Sequence, residues 1–236
     1  MQFKKFHTLS GEIRLVTGLH IGAGNDEVKI GGAQNPIIKN PVTEEPYIPG
    51  SSLKGKIRSL LEMYAPDLKG EDDPKNTPCG CGDCTVCRLF GSSNTKTPSN
   101  GPSRLIFRDA QLSETDREEF QGGRLEMELK HENTITPKII KGKRTVVANP
   151  RTVERVPAGV HFNFEIVIRE FEDDKLADTR DALGKSLHFL EMDALGGSGT
   201  RGYGQVQFEN LQFDDKPTSI DELRKDPEAK AVDEER

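Results

Sequence analysis

Val160-His-Phe-Asn-Phe-Glu-Ile-Val-Ile168 sets Val160, Phe162, Phe164, Ile166 and Ile168 on one side and His161, Asn163, Glu165 and Val167 on the other. A period of two with one apolar side is a half-buried strand. Downstream, Asp174 to Met192 carries Leu176, Leu183, Leu187 and Leu190 at helical spacing. A glycine run, Gly196-Gly-Ser-Gly-Thr-Arg-Gly-Tyr-Gly204, then leads into a last strand at Gln205–Phe208. The C-terminal half therefore reads strand, helix, loop, strand.

The N-terminal half repeats that order. Leu9 to Val16 alternates as a strand. After Pro49-Gly-Ser-Ser52, the residues Leu53, Ile57, Leu60, Leu61 and Tyr64 form one apolar helical stripe, and Ser51 or Ser52 is placed to cap its first turn. Arg104–Asp109 is a short strand, and Ser113–Phe120 is a short capped helix with acid in its first turn. Leu125–Lys130 is a further strand. With the Ser113–Phe120 helix, the Leu125–Lys130 strand and the excursions set aside, the order reduces to β-α-β-β-α-β, which predicts an α+β fold with a ferredoxin-like core, the arrangement RNA-recognition domains also use. We expect one domain over residues 1–215. Two excursions interrupt it: a polar Gly/Pro/Cys-rich insertion at about 66–103, and a polar, basic segment at about 131–157. A charged tail, expected to be disordered, follows over 216–236.

Composition narrows the class. The 236 residues carry 33 Lys+Arg and 39 Asp+Glu, a net charge of −6, and 31% of them are charged, above the usual ~25% of globular domains. No apolar run approaches the ~18–20 residues of a membrane span, and Met1–Lys5 opens no signal-peptide core. Four Cys within nine positions do not make a secreted disulfide scaffold. A cytoplasmic protein with no membrane partner is expected.

Net acidity argues against nucleic acid until the charge is located. Lys138 to Arg155 sums to +5 through Lys138, Lys141, Lys143, Arg144, Arg151 and Arg155 against Glu154. Gly50 to Leu60 sums to +3 through Lys54, Lys56 and Arg58. The compensating acid lies in Asp109–Glu132 (−5) and in the tail from Phe213 (−4). Lys54 and Lys56 beside a helix start, where free N–H groups point outward, suggest a phosphate seat.

Cys79-Gly-Cys81-Gly-Asp-Cys84-Thr-Val-Cys87 gathers four soft ligands, as a structural Zn²⁺ site requires. Free thiols and an iron–sulfur cluster are the alternatives. The single residue between Cys79 and Cys81 is tighter than the usual spacing, so a ligand from elsewhere in the chain is a further alternative. The glycine run at 196–204 follows a helix and precedes a strand, the reverse of a Walker or Rossmann loop, and lacks GK[ST], which disfavours an NTPase or dehydrogenase. Gly196, Gly197 and Gly199 admit close approach of a polymer backbone, with Arg201 for charge and Tyr203 for stacking. His20 is either a hydrogen-bonded structural residue or a functional one. No Ser-His-Asp set, nucleophile elbow or HExxH helix is present.

Gly18-Leu-His-Ile-Gly22, Pro36-Ile-Ile-Lys-Asn-Pro41, Ile48-Pro-Gly-Ser-Ser-Leu-Lys-Gly-Lys-Ile-Arg58, Arg88-Leu-Phe-Gly91 and Leu195-Gly-Gly-Ser-Gly-Thr-Arg-Gly-Tyr-Gly-Gln-Val206 resemble the RAMP superfamily. More narrowly, they resemble the repeating backbone subunit of type III CRISPR effector complexes of the Csm type. The resemblance spans about residues 8–212. It implies copies of the chain stacked along a CRISPR guide RNA, with target RNA and other subunits of the complex as further partners. It implies guide contacts from His20, from Ser51, Ser52, Lys54, Lys56 and Arg58, and from the glycine loop. Residues 131–156 would be a thumb-like hairpin parting guide from target, and the cysteine insertion would be a lid that binds zinc in some members. Members that cut target RNA carry an Asp in the loop before the Pro corresponding to Pro36, where they read roughly Asp-Ser-Pro. Here Gln34-Asn35-Pro36 puts Gln34 at that place. An amide supplies neither negative charge to Mg²⁺ nor a base. A non-cutting subunit is therefore expected, with Asp26 as the fallback catalytic residue. A metal-dependent target-RNA endoribonuclease and a CRISPR precursor-processing RNase are the alternatives, and Mg²⁺ enters only if target is cut.

Overall fold

The computed structural model describes residues 2–24, 35–70, 78–92, 101–140 and 143–224. Its strands are β1 (Phe3–Leu15), β2 (Tyr47–Ile48), β3 (Leu105–Phe107), β4 (Ala110–Leu112), β5 (Glu128–Ile140), β6 (Lys143–Arg155), β7 (His161–Phe171), β8 (Val206–Phe213) and β9 (Lys216–Pro217). Its α-helices are α1 (Gly50–Tyr64), α2 (Thr85–Phe90), α3 (Glu114–Gln121), α4 (Leu176–Met192) and α5 (Ile220–Leu223). The main sheet runs β2-β4-β7-β1-β8-β9 with antiparallel pairing, and β3 also pairs with β7. The fold is mixed α+β.

Alternation decides which face is buried. Ile13 lies beside Phe162 on β7 and Phe208 on β8, and Leu9 lies beside Ile166 and Phe213. These side chains form one core with Leu53, Ile57, Leu60 and Leu61 of α1 and Leu183, Leu187 and Leu190 of α4. α1 and α4 touch each other through Tyr64 and Phe189, with ring centroids 5.5 Å apart. The other face of the sheet is polar. Arg14 pairs with Glu209 at 2.7 Å, and a shallow groove there is lined by Ser10, Glu12, Asp109, Asn163, Glu165 and Asn210. RNA-recognition domains stack bases on aromatic side chains of their open sheet face. Here the middle of that face offers carboxylates instead.

Several expectations need correction. β1 starts at Phe3, not Leu9, because residues 3–8 pair with β7. His7 sits buried on the inner side, bonded to Asp214 (2.7 Å) and Glu170 (2.9 Å). Neither serine caps α1; both lie inside its first turn, and Asp109 Oδ1 accepts the Gly50 N–H at 2.7 Å instead. A carboxylate thus already occupies part of the expected phosphate seat. The cysteine insertion has a core after all. Val86, Leu89 and Phe90 of α2 join the main cluster. The basic excursion, a single hairpin β5–β6, starts before residue 131: it is paired from Glu128–Arg155 out to Ile140–Lys143, and residues 125–127 are not strand, so no separate strand spans Leu125–Lys130. Residues 216–224, expected to be part of a disordered tail, carry β9 and α5, and 225–236 lie outside the described residues. Ser219 and Glu222 form a capping box on α5, and Leu223 is buried where α5 meets Gly184 of α4.

Candidate nucleic-acid interface and metal centre

The glycine loop is built on its own backbone. Leu195 N donates to Gly204 O (2.8 Å), and Gly204 N donates to Gly18 O (3.0 Å). Gly204 has φ +68°, and a Cβ there would lie 1.9 Å from Leu195 O. Most of the glycine content is therefore structural. Gly197 differs: its φ is unexceptional, and a Cβ would meet only His20 atoms at 3.7 Å. Among the described residues nothing forbids a side chain at Gly197.

His20 joins this loop to the base of the hairpin. Gly197 N donates to His20 O at 2.9 Å, and His20 Nδ1 lies 2.7 Å from Glu154 O. A carbonyl can only accept, so Nδ1 carries the hydrogen and Nε2 has a bare lone pair in the neutral ring. Glu154 also holds the next segment. Its carboxylate accepts the Ile37 N–H (3.1 Å) and Lys39 Nζ (2.5 Å), and its backbone N–H donates to Asn35 O (3.1 Å). Asn35 is thereby fixed beside β6. Gln34 and Asp26 lie outside the described residues.

The expected cations have divided fates. Lys56 pairs with Asp193 at 2.8 Å, directly before the glycine loop. Lys54 has no carboxylate partner among the described residues, and burial followed by the repulsion of Arg58 lowers its pKa. Arg201 is half-exposed, donates to Ser198 Oγ (2.8 Å) and lies 3.9 Å from Glu132. Arg151 binds Glu132 at 2.6 Å. Ser51 is exposed and Ser52 half-buried. Lys138, Lys143 and Arg144 lie at the far end of the hairpin, where the backbone path alone is described, and Lys141 falls outside the described residues.

Two assignments fail. Arg58 is not presented to solvent; it turns back to the cysteine segment. Tyr203 cannot stack on a base. It is 1% exposed, with Lys130 and Arg155 each 4.4 Å from its ring centroid, and its hydroxyl donates to Glu132 at 2.6 Å. Hydrogen bonds from Tyr203 and Arg151 hold the Glu132 carboxyl down to about 2. Burial, then the Glu132 carboxylate, pushes the Tyr203 phenol up to about 12. Glu132, Glu154 and Lys39 are organisers that motif reading missed; their partners are 71, 134 and 115 residues away in sequence.

The four cysteines converge. Their sulfurs all lie within 4.8 Å of one another, with Cys79–Cys84 at 3.8 Å and Cys81–Cys87 at 3.9 Å. A tetrahedral site with ~2.3 Å Zn–S bonds has sulfurs about 3.8 Å apart, so the donor set and spacing fit a closed zinc site. Backbone N–H groups of Cys84 and Cys87 point at Cys81 Sγ and Cys84 Sγ, each at 3.4 Å. Burial pushes the Cys81 thiol up, but the N–H groups of Cys84 and Asp83 outweigh it and bring it to about 7. Burial raises Cys84 and Cys87. A cation among the sulfurs would reverse that.

The RAMP superfamily profile matches residues 12–207. A protein of Methanothermobacter thermautotrophicus named CRISPR system Cms endoribonuclease Csm3 is 42% identical, over 92% of this chain and 89% of its own. A Streptococcus thermophilus protein of the same name is 41% identical, with 90% of each chain covered. Among solved structures, a chain of the Csm3–Csm4 subcomplex of a type III-A CRISPR–Cas interference complex superposes with a TM-score of 0.56 at 26% identity, covering 99% of this chain and 98% of that one. No helix among the described residues is long and apolar enough to cross a membrane.

Proposed function

The chain belongs to the RAMP superfamily, with Csm3 proteins as its relatives, and from that premise we propose that it is a guide-RNA-binding backbone subunit of a type III CRISPR effector complex in the cytoplasm. Copies of the chain stack along the guide RNA, and the hairpin parts guide from target. The sheet order, with β1 and β7 central and α1 and α4 on one face, is read as the ferredoxin-like core.

One observation carries the reading. His20, the Gly197 backbone with no tight neighbour and the half-exposed Arg201 share one loop, which follows Asp193 and its partner Lys56 of α1. A backbone-lined surface with an exposed arginine and a histidine nitrogen able to accept from a ribose hydroxyl is of the kind that tracks an RNA strand. Zinc, held by Cys79, Cys81, Cys84 and Cys87, serves as a structural staple for the insertion and supplies no chemistry to RNA.

We further propose that this subunit does not cut target RNA, because Gln34 stands where cutting members carry Asp. The name of the relatives favours the second reading, a Mg²⁺-dependent target-RNA endoribonuclease, with Asp26 as its residue. The assembled complex, incubated with labelled complementary RNA and Mg²⁺, separates the two. Wild type is expected to leave the RNA intact, and Gln34→Asp to yield regularly spaced fragments. Regular fragments from wild type, lost in Asp26→Ala, would establish the second reading. Metal-free cleavage of repeat RNA by the isolated chain, lost in His20→Ala, would instead make it a precursor-processing RNase.

A further inference from the structure

α1 turns two charged side chains toward the cysteine segment. Arg58 and Glu62 are one helical turn apart and only 15% and 3% exposed. Arg58 Nε donates to Glu62 Oε1 at 2.8 Å, and the same oxygen accepts the Cys79 backbone N–H at 3.0 Å. Arg58 Nη2 donates to Cys79 O at 2.6 Å, and Nη1 donates to Gly91 O at 2.9 Å. One ion pair therefore grips both main-chain groups of the first cysteine and the carbonyl that follows α2. Cys87 Sγ approaches the same Cys79 carbonyl at 3.3 Å.

A buried ion pair is weak support for stability, since desolvation offsets most of its attraction. Apolar residues would fill the site equally well if packing were its purpose. What this pair supplies is fixed geometry: the Cys79 backbone can neither rotate nor slide while both its polar groups are held. Outer-shell groups of this kind orient metal ligands. We propose that Arg58 and Glu62 are positioning residues for the four-cysteine metal centre, setting Cys79 in its ligating place from α1. The proposal rests on the zinc reading. It also explains why a helix whose first turns carry Lys54 and Lys56 spends its next cation inward.

The test uses the full chain, purified without oxygen and loaded with zinc, and follows the rate at which a chromogenic chelator removes the metal. Far-UV circular dichroism checks folding. Glu62→Ala is expected to lose zinc roughly 10–100-fold faster than wild type. Glu62→Gln, which keeps an oxygen for the Cys79 N–H, should recover part of that. Met63→Ala, next in sequence but 60% exposed, should match wild type. Equal rates in all four overturn the proposal. If Glu62→Ala does not fold, Glu62→Gln and Arg58→Lys carry the test, and both must release zinc faster than Met63→Ala or the proposal fails. Wild type that takes up no zinc after reduction removes the metal reading and the proposal with it. Slow release from every chain removes only the positioning role.

Discussion

Gly197 and Gly204 share one loop but answer to different neighbours. Gly204 is dictated from inside by Leu195 O, 1.9 Å from where a Cβ would sit, whereas a Cβ at Gly197 would make only ordinary 3.7 Å contacts with His20. Gly204→Ala should therefore cost several kcal/mol by backbone displacement, read as a collapse of the thermal melt. Gly197→Ala should leave the melt within about 0.5 kcal/mol but weaken RNA binding about tenfold, a loss of ~1.4 kcal/mol. Unchanged binding in Gly197→Ala would return that glycine to the loop's own architecture. The sequence run showed many glycines but not which served which purpose. That depends on His20 O and Leu195 O, which lie close only once the chain is folded. Tyr203 misled for the same reason. Lys130 and Arg155, 73 and 48 residues away in sequence, pack over its ring.

The strands that read clearly are those whose apolar alternation is unbroken, such as Phe162 to Ile168 on β7. The first half of β1 was illegible because its inward residue is His7, and a histidine signals nothing until Glu170 and Asp214 are seen to satisfy both ring nitrogens. The β5–β6 hairpin was visible as a basic segment, but its attachment was not. Glu132 binds Tyr203 and Arg151 and lies near Arg201, so it locks the hairpin base onto the glycine loop. Its carboxyl is held at about 2 against an ordinary 4.5. A depressed carboxylate contributes stability that is full above its unfolded pKa and fades as pH falls through its folded one. Urea melts should show Glu132→Gln weaker than wild type at pH 7, by at most about 3 kcal/mol, with the gap closing between about pH 4.5 and pH 2. A gap independent of pH would deny Glu132 this role.

Over the whole molecule, acid and base are sorted to different surfaces. The open sheet face carries Glu12, Glu165 and Glu209, while the loop–hairpin junction carries Arg201 and the edge of His20, and Lys54 of α1 has no carboxylate partner among the described residues. A net charge of −6 hides this sorting, and segment sums recover part of it. They overstate the free charge, since Lys56, Arg58 and Arg151 are already paired with Asp193, Glu62 and Glu132. Binding should accordingly depend on salt less steeply than the nine lysines and arginines expected to contact RNA would suggest. The most direct measurement is ultraviolet cross-linking of the purified complex, with RNA adducts mapped by mass spectrometry. The account predicts co-purifying RNA with adducts at His20, Lys54 and the Gly197–Arg201 turn, and none on the sheet face around Glu12 and Asn163. A complex free of RNA, or adducts gathered on that acidic face while the loop stays clean, would contradict it.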